Sequence, residues 1–127
     1  MPVKTEKDTE RNLTIHTAKG LITDEQMFEV QEKFYEENPT MLQLWDMSEA
    51  DVSLITIQGM RRFVEIDANR GLERGHGKCA VVVVKTLQFG LARLAETFGE
   101  LSGLPFKLKV FKSIDAAMEW LTEPEDK

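Results

Sequence analysis

The residues able to do chemistry in this sequence are few, and their spacing limits each of them. Cys79 and His76 stand three apart, as a nucleophile and a base would. Cys79, however, opens the run "CAVVVV", and a cysteine in a buried strand behaves as a small, inert apolar residue. His76 lies in the glycine-rich stretch "RGLERGHGK" and reads as solvated. His16 has no Asp, Glu or Cys at ligand spacing. No catalytic set, metal site or cofactor site can be assembled from these residues, and the expectation is a protein that is not an enzyme. Ser48, Ser53, Thr86 and Ser113 fall where strands give way to helices. Hydroxyls there, beside free helix N–H groups, suit an anion, although capping the helix is the plainer role. Arg61, Arg62, Arg70, Arg74 and Lys78 form a basic cluster interleaved with Glu65, Asp67 and Glu73. Mixed signs cancel locally, so the cluster reads as a solvated face. "RGLERGHGK" matches no phosphate-binding pattern, and it precedes a strand where such motifs follow one. Phe89 and Arg93, four apart, share a helix face away from the main apolar stripe. They would line a pocket or an interface, unless they merely pack against a neighbouring helix.

The elements that must position these groups can be read from periodicity. Residues 12–18, "NLTIHTA", alternate as a half-covered strand, with 2–8 as a weak edge strand beside it and Gly20 ending the region. Thr23 and Gln26 have capping-box spacing. Met27, Val30, Phe34 and Tyr35 then form a helical stripe that Asn38-Pro39 stops. Residues 41–47, "MLQLWDM", read as an inner strand and "SEAD" as a loop. A second helix spans about 52–70, with Ile57, Met60, Phe63 and Val64 inward and Gly71 as its stop. Cys79–Val84, apolar throughout, reads as a parallel strand buried on both faces. Thr86 would cap a third helix with a Leu87-Leu91-Leu94-Ala95-Phe98 stripe, ended by Ser102-Gly103. "FKLKVF", 106–111, alternates with lysines outward, as an edge strand does. Ser113 caps a last short helix with Ile114, Met118 and Leu121 inward. The tail "TEPEDK" is expected to fray.

The chain of 127 residues is the size of one domain, 1–127, with its core at about 12–121. Hydrophobic residues make up 42% and charged residues 30%, the balance of a globular protein. A net charge of −6 works against a phosphate backbone, so no nucleic-acid partner is expected. A single cysteine allows no internal disulfide. The charged opening "MPVKTEKDTERN" is no secretory signal, and no apolar run approaches a membrane span. A cytoplasmic protein without integral membrane association is expected. Helices alternating with apolar strands make an α/β fold with a mixed, mostly parallel sheet of four to five strands and four helices.

That order, with "LWDM" before the second helix, "FGLAR" in the third and "VFKSIDAAMEWL" at the end, resembles the SpoIIAA-like family. Its members share the STAS architecture of anti-sigma-factor antagonists and sulphate-transporter tails, and have been likened to the CRAL-TRIO lipid carriers. The resemblance implies a STAS-like binding or regulatory module without established enzymatic activity. STAS antagonists carry a phosphorylated serine in an Asp-Ser-Ser-Gly turn opening the second helix. Here the region is "SEADVSLITIQG", with Asp51 and Ser53 the nearest matches, which makes Ser53 the phosphoacceptor candidate. Two functions follow from the resemblance. One is a carrier or sensor of a small, lipid-like apolar molecule, held in a ligand-sized gap between the second and third helices. Phe63, Thr86, Phe89 and Arg93 are its candidate lining, with Arg93 at an anionic head. The other is a protein-interaction module, a second copy of the chain being one expected partner.

Overall fold

An unbroken run of β-branched residues needs apolar cover on both sides, and the sheet provides it. The computed structural model describes residues 2–75 and 77–124. Its strands are β1 (Val3–Asp8), β2 (Leu13–Thr23), β3 (Leu42–Leu54), β4 (Lys78–Val82) and β5 (Lys107–Phe111). Its helices are α1 (Asp24–Glu36), α2 (Ile57–Arg70), α3 (Thr86–Ser102) and α4 (Ile114–Leu121), and a 3-10 turn, Gly71–Arg74, follows α2. The five strands lie in chain order, β1-β2-β3-β4-β5. β1 pairs antiparallel with β2, and every other pair is parallel. The architecture is the α/β one that the periodicity predicts. Crossovers of one hand between strands in chain order must leave α1, α2 and α3 on the same face. α4, which follows the last strand, is free to cover the other. Accordingly Cys79 and Val83, with Val81, join Met27, Trp45 and Ala92 on one side, while Ala80 and Val82 join Leu13, Leu44, Ala117 and Leu121 on the other. Val84 departs from the expectation of four buried valines: it lies past the end of β4 and is 60% exposed.

Two strands run further than their composition suggests. β2 does not end at Gly20 but continues to Thr23, with Gly20 at φ 72° and shifts of register on either side. "SEAD" is not a loop: β3 passes through it to Leu54, pairing Lys19 with Glu49 and Leu21 with Asp51. The polar residues read as a break because this stretch pairs with β2 alone, β4 having ended opposite Asp46. The second helix therefore starts at Ile57 rather than near Val52, with Thr56 Oγ1 accepting from the Gly59 N–H at 2.9 Å.

The sequence stripe of α3 is rotated by about one position. The helix buries Gln88, Ala92, Ala95, Phe98 and Gly99, and leaves Leu87 exposed. His16 departs too: the face taken as half covered is closed by α1, and its ring packs against Phe34 and Trp45. Ile57 and Ile114, expected inward, are exposed; α4 buries Leu121, as expected, together with Ala117. Gly71 does not stop α2 by a left-handed turn. Its φ is −59°, and it is small because a Cβ there would lie 2.6 Å from Pro105 Cγ.

Candidate functional site

The carboxyl ends of parallel strands are where open α/β sheets hold ligands, and the predicted hydroxyls prove to be occupied or misplaced there. Ser113 caps α4, its Oγ accepting from the Ala116 N–H at 3.2 Å. Ser48 donates to Asp46 Oδ1 at 2.7 Å within β3. Thr86 does not cap α3: it is the first helical residue and is exposed, and Lys85 holds the cap position. Ser53 does not open a helix. It is an exposed residue of β3 whose N–H donates to Asp51 Oδ1 at 3.0 Å. The hydroxyl that does open α2 belongs to Thr56, and it donates to Asp24 Oδ2 at 2.6 Å. Asp24 Oδ1 also accepts the Thr56 N–H at 3.0 Å, so a carboxylate already sits at this helix start. Gly59 leaves room for that carboxylate; a Cβ there would lie 2.3 Å from Asp24 Cγ.

Between α2, α3 and the sheet lies a gap of about 80 Å³. Its floor is Trp45, Met47, Val81 and Val83, and its helical walls include Met60, Phe63, Val64 and Ala92. The gap exists because α3 turns two alanines, Ala92 and Ala95, toward a helix that stands off the sheet. α2 leans on α3 and α1 rather than on the strands, and Val64 is its one buried residue. An apolar gap does lie between these helices, but the expected ligand-sized one does not: it is far smaller than the usual ligand pocket of about 300–1,000 Å³. Phe63 lines it; Thr86, Phe89 and Arg93 do not. Phe89 is partly buried against the core, with the Arg93 guanidinium 5.1 Å and the Lys112 ammonium 5.8 Å from its ring centre. Arg93 is exposed and reaches Glu96 at 3.4 Å.

Two polar groups missed by the sequence reading border the gap. Gln88 donates to Ala50 O at 2.8 Å and Ser48 O at 3.3 Å, and accepts from the N–H groups of Val84 and Lys85. It thus spans the edge of β3 that β4 leaves open. Asp67, on α2, lines the gap, and its Oδ1 accepts the Tyr35 hydroxyl at 2.6 Å. Burial raises this carboxyl above the usual carboxylate range, against the opposing pull of the Tyr35 hydrogen bond, the Arg74 charge and a Gln31 hydrogen bond. Cys79 is also on the wall, and burial pushes its thiol up to about 12, so the thiolate that a nucleophile needs is disfavoured. His76, its imagined partner, lies outside the described residues, as do residues 125–127 of the tail.

The basic cluster is not a solvated face where it matters most. Arg74 and Lys78 are both buried. Arg74 donates from Nη2 to Met41 O at 3.0 Å and Lys78 O at 2.8 Å, and from Nε to Thr40 O at 3.3 Å. Its guanidinium stacks 4.1 Å from the Phe106 ring centre, and Nη1 has no partner among the described residues. Lys78 Nζ donates to Trp120 O at 2.8 Å and Glu123 O at 3.1 Å, closing the carbonyl end of α4. Arg70 instead pairs with Glu73 at the surface.

A larger concavity of about 660 Å³ lies between β1 and α1. Lys7, Lys33, Glu29 and Glu37 on its walls mix in sign, and Thr14, its one buried polar lining residue, is engaged with the Thr40 hydroxyl at 2.7 Å. Among the described residues no three His, Cys, Asp or Glu come together as metal ligands would, and no helix is long and apolar enough to cross a membrane.

No family model and no curated protein matches the chain. Among solved structures, the chain is similar to an uncharacterized protein of the DUF3478 family with a SpoIIAA-like fold, from Shewanella loihica PV-4. The two are 22% identical, with a TM-score of 0.59 over 94% of this chain and 91% of that one. The fold is therefore SpoIIAA-like, as the resemblance implies.

Proposed function

We propose that the chain is a non-enzymatic binding module that takes a small apolar molecule between α2, α3 and the sheet. The observation that carries this reading is the gap itself, walled by Met, Phe, Val and Ala side chains with two polar groups at its margin. Pockets that combine an apolar lining with few polar anchors are the usual form of small-molecule sites. The gap admits only a few heavy atoms as it stands. A lipid-like tail needs α2 to swing outward, and a helix with one buried residue can do so at modest cost. The head of such a ligand is not held by Arg93, which lies outside.

Methionine methyl groups test this directly. Met27, Met47 and Met60 line the gap, whereas Met41 and Met118 do not. Titration with toluene should shift the first three methyl resonances saturably and leave the other two unmoved. Ala92→Leu should fill the gap, abolish the shifts and raise the melting temperature. Wild type showing no saturable shift sinks the reading.

A second reading, a protein-interaction module, draws on Leu21, Leu54 and Ile57, which are exposed at the carboxyl ends of β2 and β3 and the start of α2. Ser53, exposed beside them, is its phosphoacceptor candidate. Sedimentation of wild type against Leu54→Glu/Ile57→Glu tests self-association through this end. Site mapping after incubation with kinase-active lysate tests Ser53.

A further inference from the structure

The gap has a polar corner, and its chemistry restricts what can enter. Asp67 is the one carboxyl on the wall, and its Oδ1 holds the Tyr35 hydroxyl. Tyr35 is fixed from behind by the Arg70 guanidinium, 4.9 Å from its ring centre. Gln31, the neighbouring polar residue of α1, donates to Phe63 O at 2.8 Å and its side chain also hydrogen-bonds Asp67, so it ties α1 to α2 beside the corner and leaves Asp67 only its remaining lone pairs for a ligand. The buried cation nearest in effect is Arg74, whose named hydrogen bonds all go to backbone carbonyls. The region therefore already holds one guanidinium and one carboxyl group.

Resting on the gap as the ligand site, we propose that its ligand is a neutral small molecule with one hydroxyl or N–H donor, which Asp67 receives. An anion would enter an enclosure where burial already disfavours a negative charge on Asp67, and a second one there would cost more. A cation would add a second positive charge to the one that Arg74 already holds. A ligand without any donor would offer nothing to the remaining lone pairs of Asp67, and an unmatched buried acceptor is costly. A hydroxyl or N–H completes the acceptor capacity of the carboxyl with no change in charge. Sites built to receive a donor reject the isostere that lacks it. Small alcohols, phenols and N–H heterocycles meet the requirement; fatty-acid anions do not.

Phenol and toluene, matched in size, separate the donor from the apolar body, and benzoate supplies the anion. Binding is read from the methyl resonances of Met27, Met47 and Met60. Phenol should bind wild type about tenfold tighter than toluene, as one hydrogen bond gained in a closed apolar site allows, and benzoate should not bind. Tyr35→Phe/Asp67→Leu removes the carboxyl together with the hydroxyl it holds, while Gln31 keeps its bond to Phe63 O. It should keep toluene binding and lose the preference for phenol. Asp67→Asn, which keeps the shape and an acceptor for Tyr35, should reduce the preference and serves if the double variant does not fold. Toluene binding as tightly as phenol, or a preference undiminished in Asp67→Asn, overturns the proposal while the gap stands. Failure of both probes to bind wild type overturns it together with the gap.

Discussion

Buried basic residues carry more of this structure than their number suggests. Arg74 joins three carbonyls from two separate segments, Thr40 and Met41 before β3 and Lys78 at the start of β4. Removing the guanidinium strands those carbonyls in a closed interior. Arg74→Leu should cost about 3–5 kcal/mol, the range for breaking a buried charged contact, measured by urea unfolding; a cost below about 1 kcal/mol would contradict the role, since the median surface charge contributes no more than that. His16 makes a different prediction. Gln43 Nε2 can only donate, at 2.9 Å, so His16 Nε2 accepts, and Nδ1 carries the proton toward Thr5 Oγ1 at 2.9 Å. Burial, aided by the Arg74 charge, lowers its pKa to about 3 from 6.5. The unfolded chain therefore binds a proton below pH 6.5 that the folded chain refuses until about pH 3. Stability from this group is fully present above pH 6.5 and is lost as pH falls toward 3. By pH 5 the loss should reach about 2 kcal/mol, and His16→Gln should flatten the slope of stability between pH 7 and 5. Equal slopes in the two proteins would show that His16 does not titrate in this way.

At the scale of elements, the join between β3 and α3 rests on one carboxamide. Gln88→Leu keeps the volume but leaves Ala50 O and the N–H groups of Val84 and Lys85 without their side-chain partner. It should cost about 2 kcal/mol by denaturant unfolding, as stranded buried backbone groups do, whereas Leu87→Gln, at an exposed position one residue earlier, should change stability little. The contrast explains what the sequence could tell. Runs such as Cys79–Val84 and the Thr23–Gln26 box are local signals, so the strands, helices and their order were legible from composition and period. Gln88 was not, because a polar residue at helical spacing reads as outward, and its reason to point inward is a strand edge left open forty residues earlier. The extension of β3 through "SEAD" is likewise set by pairing with β2, which no local pattern records. Gly77 is a third case. It read as loop punctuation, yet a Cβ there would lie 1.8 Å from Met41 O, so its smallness serves a close crossing of two backbones.

For the whole molecule, the arrangement of layers implies an uneven distribution of stability. β4 is paired on both sides along its whole length, as are residues 13–17 of β2 and residues 42–46 of β3, and helices cover both faces of this central part. α3 buries five residues and is tied to β3 by Gln88. α4 is anchored through Ala117, Leu121 and the Lys78 bonds to its final carbonyls. α2 is held less fully. Val64 is its one fully buried residue, Phe63 meets Trp45 of β3 beside an 80 Å³ gap, Gln31 and Tyr35 of α1 bond its middle, and its start is held by Asp24 and Thr56 at the surface. Local opening costs least where few apolar contacts must be broken. Native-state amide exchange should therefore be slowest in β3 and β4 and fastest, among the helices, in α2. Asp24→Ala, which removes the carboxylate from the start of α2, should speed exchange in α2 while leaving β4 unchanged, because the loss of a cap contact of about 1 kcal/mol is felt first by the helix it caps. Phenol bound in the gap should reverse the effect, since a ligand that touches both α2 and the sheet supplies the contact that the empty space withholds. Protection of α2 equal to that of α3 in the free protein would mean that the helix is held as firmly as its neighbours. The gap would then be a fixed void of about 80 Å³, too small to admit a ring.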